Sequence, residues 1–173
     1  MSTDLFDIRG KVALITGGSR GIGMMMAAAY VDAGAKVYIA SRDAKRCDAA
    51  AESLSERGSC VSIPADLSKH DEVERLAAAI AAQEPALHVL INNAGTAWGN
   101  SIDDFPEKGW DKVMDLNLKS PFFLVQKLLP QLERAGTSHD PARVINLGSV
   151  DGLHTPIFEN FSYAAAKAGI HHL

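Results

Sequence analysis

A chain of 173 residues that is 47% hydrophobic and 22% charged has the size and balance of one soluble domain with a real apolar core, which excludes an intrinsically disordered polypeptide. Its formal net charge of −4 gives no electrostatic reason to expect nucleic acid or an anionic membrane surface as a partner. No apolar run approaches the roughly 20 residues of a membrane-crossing helix, MSTDLFDIRGK at the start has no apolar leader core, and Cys47 and Cys60 stand apart, outside CxxC spacing. The expectation is a cytoplasmic, reduced protein with no metal site and no disulfide framework.

The first element is an apolar run over 11–16 (KVALIT), which leads directly into the glycine-rich turn TGGSRGIG over 16–23. A helical pattern follows over 21–33, closed by Gly34, a good helix stop. The second run, 36–41 (KVYIAS), precedes an amphipathic helix over 43–57 with Cys47, Ala50, Ala51 and Leu54 on one face. The third run, 60–65 (CVSIPA), precedes a helix over 69–83 whose Val73, Leu76, Ala77 and Ile80 recur at i, i+3, i+4, i+7. After a fourth run over 88–92 (HVLIN), one long helix is predicted from about 106 to 134, with Trp110, Val113, Met114, Pro121, Leu124, Val125 and Leu128 on its apolar face. The polar loop AGTSHDPA over 135–142 precedes the fifth run, 143–147 (RVINL), and the chain closes on FSYAAAKAGIHHL.

The five runs are short, rich in Val and Ile and nearly continuous in apolar character, as strands buried on both faces of a parallel sheet are. Strand and helix in strict alternation imply βαβ units with right-handed crossovers, hence an α/β, doubly wound sheet flanked by helices. No linker or low-complexity tract divides the chain, so a single domain over 1–173 is expected.

The glycine turn lacks the GxGxxG spacing and reads TGxxxGxG, with Gly17, Gly21 and Gly23. Glycines permit positive φ and close backbone approach, and the helix that follows aims free N–H groups and its positive dipole end at a pyrophosphate. A tight turn alone also uses glycines, but a position after the first strand of a βαβ unit favours the dinucleotide reading.

TGGSRGIG, Asp66–Leu67 after the third run, NNAG over 92–95, Asn117, Ser149, and YAAAK from Tyr163 to Lys167 together resemble the short-chain dehydrogenase/reductase family, in order and over essentially the whole chain. The resemblance implies a Rossmann-type parallel sheet of strand order 3-2-1-4-5. It assigns Gly17, Ser19, Arg20, Gly21, Ile22 and Gly23 to a nicotinamide dinucleotide, with Asp66 and Leu67 at the adenine, Asn92, Asn93, Ala94 and Gly95 lining the cleft, and Tyr163 and Lys167 at the nicotinamide end. The plainer readings are that Asp66 caps the next helix, a role Ser68 would also suit, and that Asn92 and Asn93 are turn residues.

Charge bears on which dinucleotide. A carboxylate at the end of the second strand would accept from a ribose 2′-OH. Ser41 and Arg42 stand there instead, with Arg20 in the glycine turn, a pair of cations suited to a 2′-phosphate. NADP(H) is therefore preferred over NAD, with Asp43 the competing acidic candidate.

Carbonyl reduction needs a proton donor to the developing alkoxide. A free tyrosine titrates near 10, and lowering that by about three units takes roughly 4 kcal/mol of preference for the phenolate. Lys167, one helical turn after Tyr163, provides a cation that acts in that direction. The resemblance implies Tyr163 as general acid/base, Ser149 as hydrogen-bond partner of the substrate oxygen, Lys167 also on the nicotinamide ribose, and Asn117 positioning a water that leads to the lysine. Independently, an amide on the apolar stripe of the long helix must find partners or cost stability; a satisfied structural Asn117 is the other reading.

Family members run longer, so a domain incomplete at its C-terminus, missing the later strands and the substrate-covering segment, is expected, with low stability and no activity in isolation. By resemblance the longer protein is a homo-oligomer, dimer or tetramer. TAWG after NNAG, with GSV and YAAAK, resembles the 3-oxoacyl-(acyl carrier protein) reductase branch, so the substrate is a small carbonyl or alcohol, with a 3-oxoacyl thioester the leading class. Trp98 has a plainer role as a loop anchor, and His154, His171 and His172 lack the spacing of a metal site. The competing functions are a non-catalytic nucleotide-binding regulator and a nucleotide-sugar epimerase or dehydratase.

Overall fold

The computed structural model describes residues 6–173, and the first residues of the N-terminal stretch read above for a leader lie outside the described residues. Five parallel strands, β1 (Val12–Thr16), β2 (Lys36–Ala40), β3 (Ser59–Ser62), β4 (Val89–Asn92) and β5 (Arg143–Asn146), form one sheet in the order 3-2-1-4-5. The helices are α1 (Gly21–Asp32), α2 (Ala44–Ser55), α3 (His70–Gln83), α4 (Glu107–Met114), α5 (Ser120–Ala135) and α6 (Phe161–His172).

The sheet is central because its strands are apolar on both faces. In β1, Ala13 and Ile15 enter one core with α1 and α2, while Val12 and Leu14 enter the opposite core with α3 and α5. The period-2 alternation of a strand divides these four residues between two layers. Predicted helix faces fall where periodicity puts them: Cys47, Ala50, Ala51 and Leu54 of α2, and Val73, Leu76, Ala77 and Ile80 of α3, are all buried. Each large aliphatic side chain so buried stabilises by about 1.5–3 kcal/mol of transfer free energy. Gly34 stops α1 at φ 83°, a backbone angle that disfavours a side chain.

Several expectations are corrected. The long helix runs without a gap over 107–135, but within it Asp115–Lys119 forms a π-helical turn, in which the N–H of Ser120 donates to the carbonyl of Asp115. Trp110 sits 40% exposed and meets Phe105 edge-on at 6.5 Å, while Val113 of the same helix stays buried. The third strand ends at Ser62, short of Pro64, which lacks the N–H a ladder needs. The fifth run, apolar in composition, lies at the edge of the sheet that the expected absence of the later strands leaves uncovered, and Val144 and Ile145 are 42% and 39% exposed. The last helix begins at Phe161, two residues before Tyr163. No helix among the described residues is long and apolar enough to cross a membrane.

Candidate active site

A cleft of about 720 Å³ opens at the ends of β1, β2, β3 and β4, where the order of strands reverses between β1 and β4. Open α/β sheets leave a crevice at that switch point because the connections on its two sides run in opposite directions. Gly17, Ser19, Arg20, Gly21, Ile22, Gly23, Ser41, Arg42, Asp66, Leu67, Asn93, Ala94 and Gly95 all line it. Tyr163, Lys167, Ser149 and Asn117 do not line this cleft and belong to the elements behind it.

The glycine turn is built around Thr16 and Asn93. The Thr16 hydroxyl accepts from the N–H groups of Asn93 and Ala94, each at 3.0 Å, and the Asn93 amide donates to the Thr16 carbonyl at 2.8 Å. Gly17, at φ 68°, and Gly23 close the turn: a Cβ on Gly23 would lie 2.2 Å from the Gly17 carbonyl oxygen and 2.6 Å from the Asn93 amide nitrogen. Backbone therefore forms the wall of the cleft. Arg20, the N-cap of α1, makes no side-chain cap. Asn92 differs from expectation; its amide donates to the Asn146 side chain at 2.9 Å and ties β4 to β5 rather than lining the cleft.

Cations collect at one end, where Arg20 and Arg42 are joined by Arg46 of α2. Asp43 borders the same region, but its carboxylate is the N-cap of α2, accepting from the Arg46 N–H at 3.0 Å. That bond explains why an acidic residue stands here. At the other side, the Asp66 carboxylate accepts from the Ser68 hydroxyl at 2.8 Å and the Ser68 N–H at 3.3 Å. Neither residue caps α3 as the plainer reading expected; Lys69 is its N-cap, without a side-chain bond.

Asn117 lies inside the π-helical turn, 2% exposed. Its oxygen accepts from the Thr96 N–H at 2.9 Å and its nitrogen donates to the Thr96 carbonyl at 2.8 Å. The amide thus answers the demand for partners on an apolar stripe, and it fixes the segment after NNAG. Both Thr96 and Leu116, the residue before Asn117, line the cleft.

The same turn carries α6. Gly169 faces Leu118, where an added Cβ would meet the leucine methyl carbons at 3.0 Å. On α6, Tyr163 and Lys167 share a face, with the Lys167 ammonium 5.6 Å from the centre of the Tyr163 ring. Lys167 is buried and its Nζ donates to the Leu147 carbonyl at 2.5 Å, at the end of β5 and two residues before Ser149. Burial lowers its pKa from the ordinary 10.5. Ser149 is extended; its hydroxyl accepts from the Asp151 N–H at 3.2 Å, and its own N–H donates to Nε2 of His171 at 3.3 Å.

Arg46, Thr96, Leu116 and His171 were not singled out for the site in the sequence. Arg46, three residues after a capping aspartate, and His171, four after Lys167, carried a helical-spacing signal; Thr96 and Leu116 carried none. Trp98 does anchor its loop, since an added Cβ on Gly109 would meet the indole at 2.7 Å.

The family model for short chain dehydrogenases matches residues 11–173, and the chain belongs to that family. Among curated relatives, it is 46% identical over 168 residues to the rhamnolipids biosynthesis 3-oxoacyl-[acyl-carrier-protein] reductase of Pseudomonas aeruginosa, covering 97% of this chain and 66% of the relative. It is 32% identical over 164 residues to the D-beta-hydroxybutyrate dehydrogenase of Rhizobium meliloti, covering 92% and 61%. Two solved structures align closely. One is the Pseudomonas aeruginosa RhlG/NADP active-site complex, with TM-score 0.92 and 46% identity, covering 96% of this chain and 65% of that one. The other is a metagenomic short-chain oxidoreductase in complex with NADP, with TM-score 0.87 and 30% identity, covering 96% and 74%. The chain thus spans about two thirds of the length of the curated relatives it matches.

Proposed function

We propose that this chain is the cofactor-binding and catalytic part of an NADP(H)-dependent oxidoreductase that interconverts a carbonyl compound and a secondary alcohol, acting on a 3-oxoacyl thioester. The observation that carries the reading is the placement of Lys167, a buried ammonium beside the Tyr163 ring and bonded to the Leu147 carbonyl just before Ser149. Family membership and two similar structures holding NADP support the cofactor.

The residues present fit a dinucleotide. Gly17 and Gly23 let the turn close on itself and on Asn93, where a Cβ on either would collide, so the turn presents backbone to the cleft, and Arg20, Arg42 and Arg46 line that cleft with guanidinium groups suited to a 2′-phosphate. With Asp43 committed to capping α2, the acidic alternative at this position loses its main support. Asp66 and Leu67 suit the adenine side, and Asn93, Ala94 and Gly95 the cleft floor.

Bound in this cleft, NADPH would supply the hydride. Tyr163 gives its phenolic proton to the carbonyl oxygen as negative charge develops there, and takes it back in the reverse direction. Lys167 favours the phenolate through its neighbouring positive charge and holds the nicotinamide ribose. The Ser149 hydroxyl donates to the substrate oxygen. Asn117 fixes the segment at Thr96 through both polar atoms of its side chain, and by family resemblance it would also position a water leading to Lys167. The 3-oxoacyl assignment rests on the Pseudomonas aeruginosa relative. A cytoplasmic homo-oligomer completes the proposal; the exposed Trp110, Phe122 and Leu129 of α4 and α5 offer apolar surface for it.

The test uses the protein carrying this chain at the length of its relatives, with NADPH consumption measured against 3-oxoacyl thioesters, simple ketones and nucleotide sugars. Tyr163→Phe is expected to lower kcat by about 10²–10⁴-fold while NADPH binding stays nearly intact. A normal kcat in that variant removes Tyr163 from the mechanism, and tighter binding of NADH than of NADPH removes the cofactor assignment.

A further inference from the structure

We propose that His171 is a positioning residue for Ser149: it fixes the serine backbone against α6 so that the hydroxyl is held at one distance from Tyr163. The inference rests on the oxidoreductase reading above. Three observations converge on it. The Ser149 N–H donates to His171 Nε2 at 3.3 Å. Gly148 lies directly under the imidazole, where a Cβ would be 2.3 Å from Nε2 and 2.8 Å from Cδ2. On the far side of Ser149, a Cβ on Gly152 would be 2.5 Å from the Lys167 carbonyl carbon and 2.8 Å from the Ala168 nitrogen. Two side-chain-free residues thus let the serine segment close onto the one helix that carries the phenol and the ammonium.

The remaining polar groups of Ser149 are held within its own turn. Its carbonyl accepts from the Gly152 N–H at 3.1 Å and its hydroxyl from the Asp151 N–H at 3.2 Å. Those bonds shape the turn but do not fix it relative to α6; the imidazole bond does. Tyr163, Lys167 and His171 follow one another at i, i+4 and i+8, on one side of the helix. A rotation of the serine segment about that side changes the distance between Ser149 and Tyr163 without unfolding anything. As an acceptor, Nε2 carries no proton, which assigns the ring hydrogen to Nδ1. A glutamine at 171 retains an acceptor at similar reach, and a leucine retains bulk alone.

The experiment takes the protein at the length of its relatives and combines two readouts. Nitrogen-15 NMR is expected to show coupling across the hydrogen bond between Ser149 N and His171 Nε2. Steady-state kinetics are expected to show that His171→Leu lowers kcat roughly ten-fold, as a small misplacement of a reacting group does, while NADPH Kd and Tm stay near the unsubstituted values. His171→Gln should recover most of that loss. Gly148→Ala, which drives a methyl into the ring, should lower kcat similarly, and combining it with His171→Leu should add little, as for two changes that break one contact. Equal kcat in His171→Leu and His171→Gln overturns the inference, and so does fully additive loss in the double variant. Missing coupling alongside normal turnover sinks the role of His171 alone. Coupling without any turnover in the unsubstituted protein sinks the oxidoreductase reading, and the role of His171 with it.

Discussion

The cofactor cleft and the β5–α6 region differ in how much of their surroundings this chain supplies, since it spans about two thirds of the length of its relatives. Around the cleft, β1 is buried along its whole length, and the cradle is backbone held by Thr16 and Asn93. At the other end, β5 is an edge strand with two half-exposed aliphatic residues, and the loop that follows exposes Val150, Leu153, Ile157 and Phe158. The first region is enclosed between the two cores of the chain. In the second, Ser149, Tyr163 and Lys167 are held by α6, which buries Ala166 and Ile170 and meets Phe105 through Phe161, and by specific contacts: the lysine on Leu147, the imidazole on Ser149, and Gly169 on Leu118. Affinity for a dinucleotide should therefore depend on sterics in the cleft, and turnover on those few contacts.

The sharpest way to break that contrast is Gly23→Ala. The new methyl would press on the Gly17 carbonyl and the Asn93 amide, neither of which has room to yield. Overpacking of this kind costs about 3 kcal/mol at its upper end. The expected result is NADPH affinity weakened ~100-fold, with a lowered Tm, read by titration and thermal melting; unchanged affinity would show that the turn is not the phosphate cradle.

Next in size is Asn117→Leu, which leaves both the N–H and the carbonyl of Thr96 without their partner. The expected cost is about 2 kcal/mol, seen as a lower denaturation midpoint. A loss in kcat beyond what reduced folding explains would add the water-mediated route to Lys167 to its structural role.

Much of this architecture is legible in the sequence because the physics is local. A run such as KVALIT between a lysine and a glycine turn has little choice but a buried parallel strand, and Val73, Leu76, Ala77 and Ile80 can share a face only in a helix. What sequence does not carry is phase across an irregularity. Nothing in DLNLK announces a π-helical turn, and nothing in the stripe tells Trp110, 40% exposed, from Val113, which is buried. The fifth run, RVINL, has the composition of a buried strand, yet exposure is set by what lies beside it. At the site, the residue types of the glycine turn and YAAAK are visible in one dimension. The partnerships of Asn93 with Thr16, Asn92 with Asn146 and Ser149 with His171 are not, since each joins residues far apart in the chain.

Two lysines, Lys167 on α6 and Lys36 at the start of β2, titrate in opposite senses. Burial lowers the pKa of Lys167 below 10.5, so between that lowered value and 10.5 the unfolded chain binds a proton the folded chain has released, and stability rises with pH. In β2, the hydrogen bond to Glu84 raises the pKa of Lys36 above 10.5. Its contribution is fully present below 10.5 and is lost as pH rises through the folded value. Lys167→Met should therefore lose ground to the unsubstituted protein as pH climbs toward 10.5, by no more than about 1.4 kcal/mol per pH unit. Lys36→Met should gain on it above 10.5. Denaturation midpoints measured across this range for both variants would show opposite slopes; parallel slopes would mean that Lys167 is not desolvated.

The smallest effect separates stability from cofactor choice at a single residue. Asp43 borders the cationic end of the cleft, but its carboxylate accepts from the Arg46 N–H as the cap of α2. Asp43→Ala should cost about 1 kcal/mol through loss of the cap. Its ion pair with Arg46, at 3.7 Å, involves two half-exposed side chains. Losing such a pair should leave the ratio of NADPH to NADH affinity within a factor of about three. Arg42→Ala should do the converse, with little change in Tm and a ~10-fold loss specific to NADPH, the worth of one charge-assisted hydrogen bond. If Asp43→Ala instead left Tm unchanged and moved the cofactor ratio, the carboxylate would be acting toward the ribose, and the end of β2 would belong to NAD.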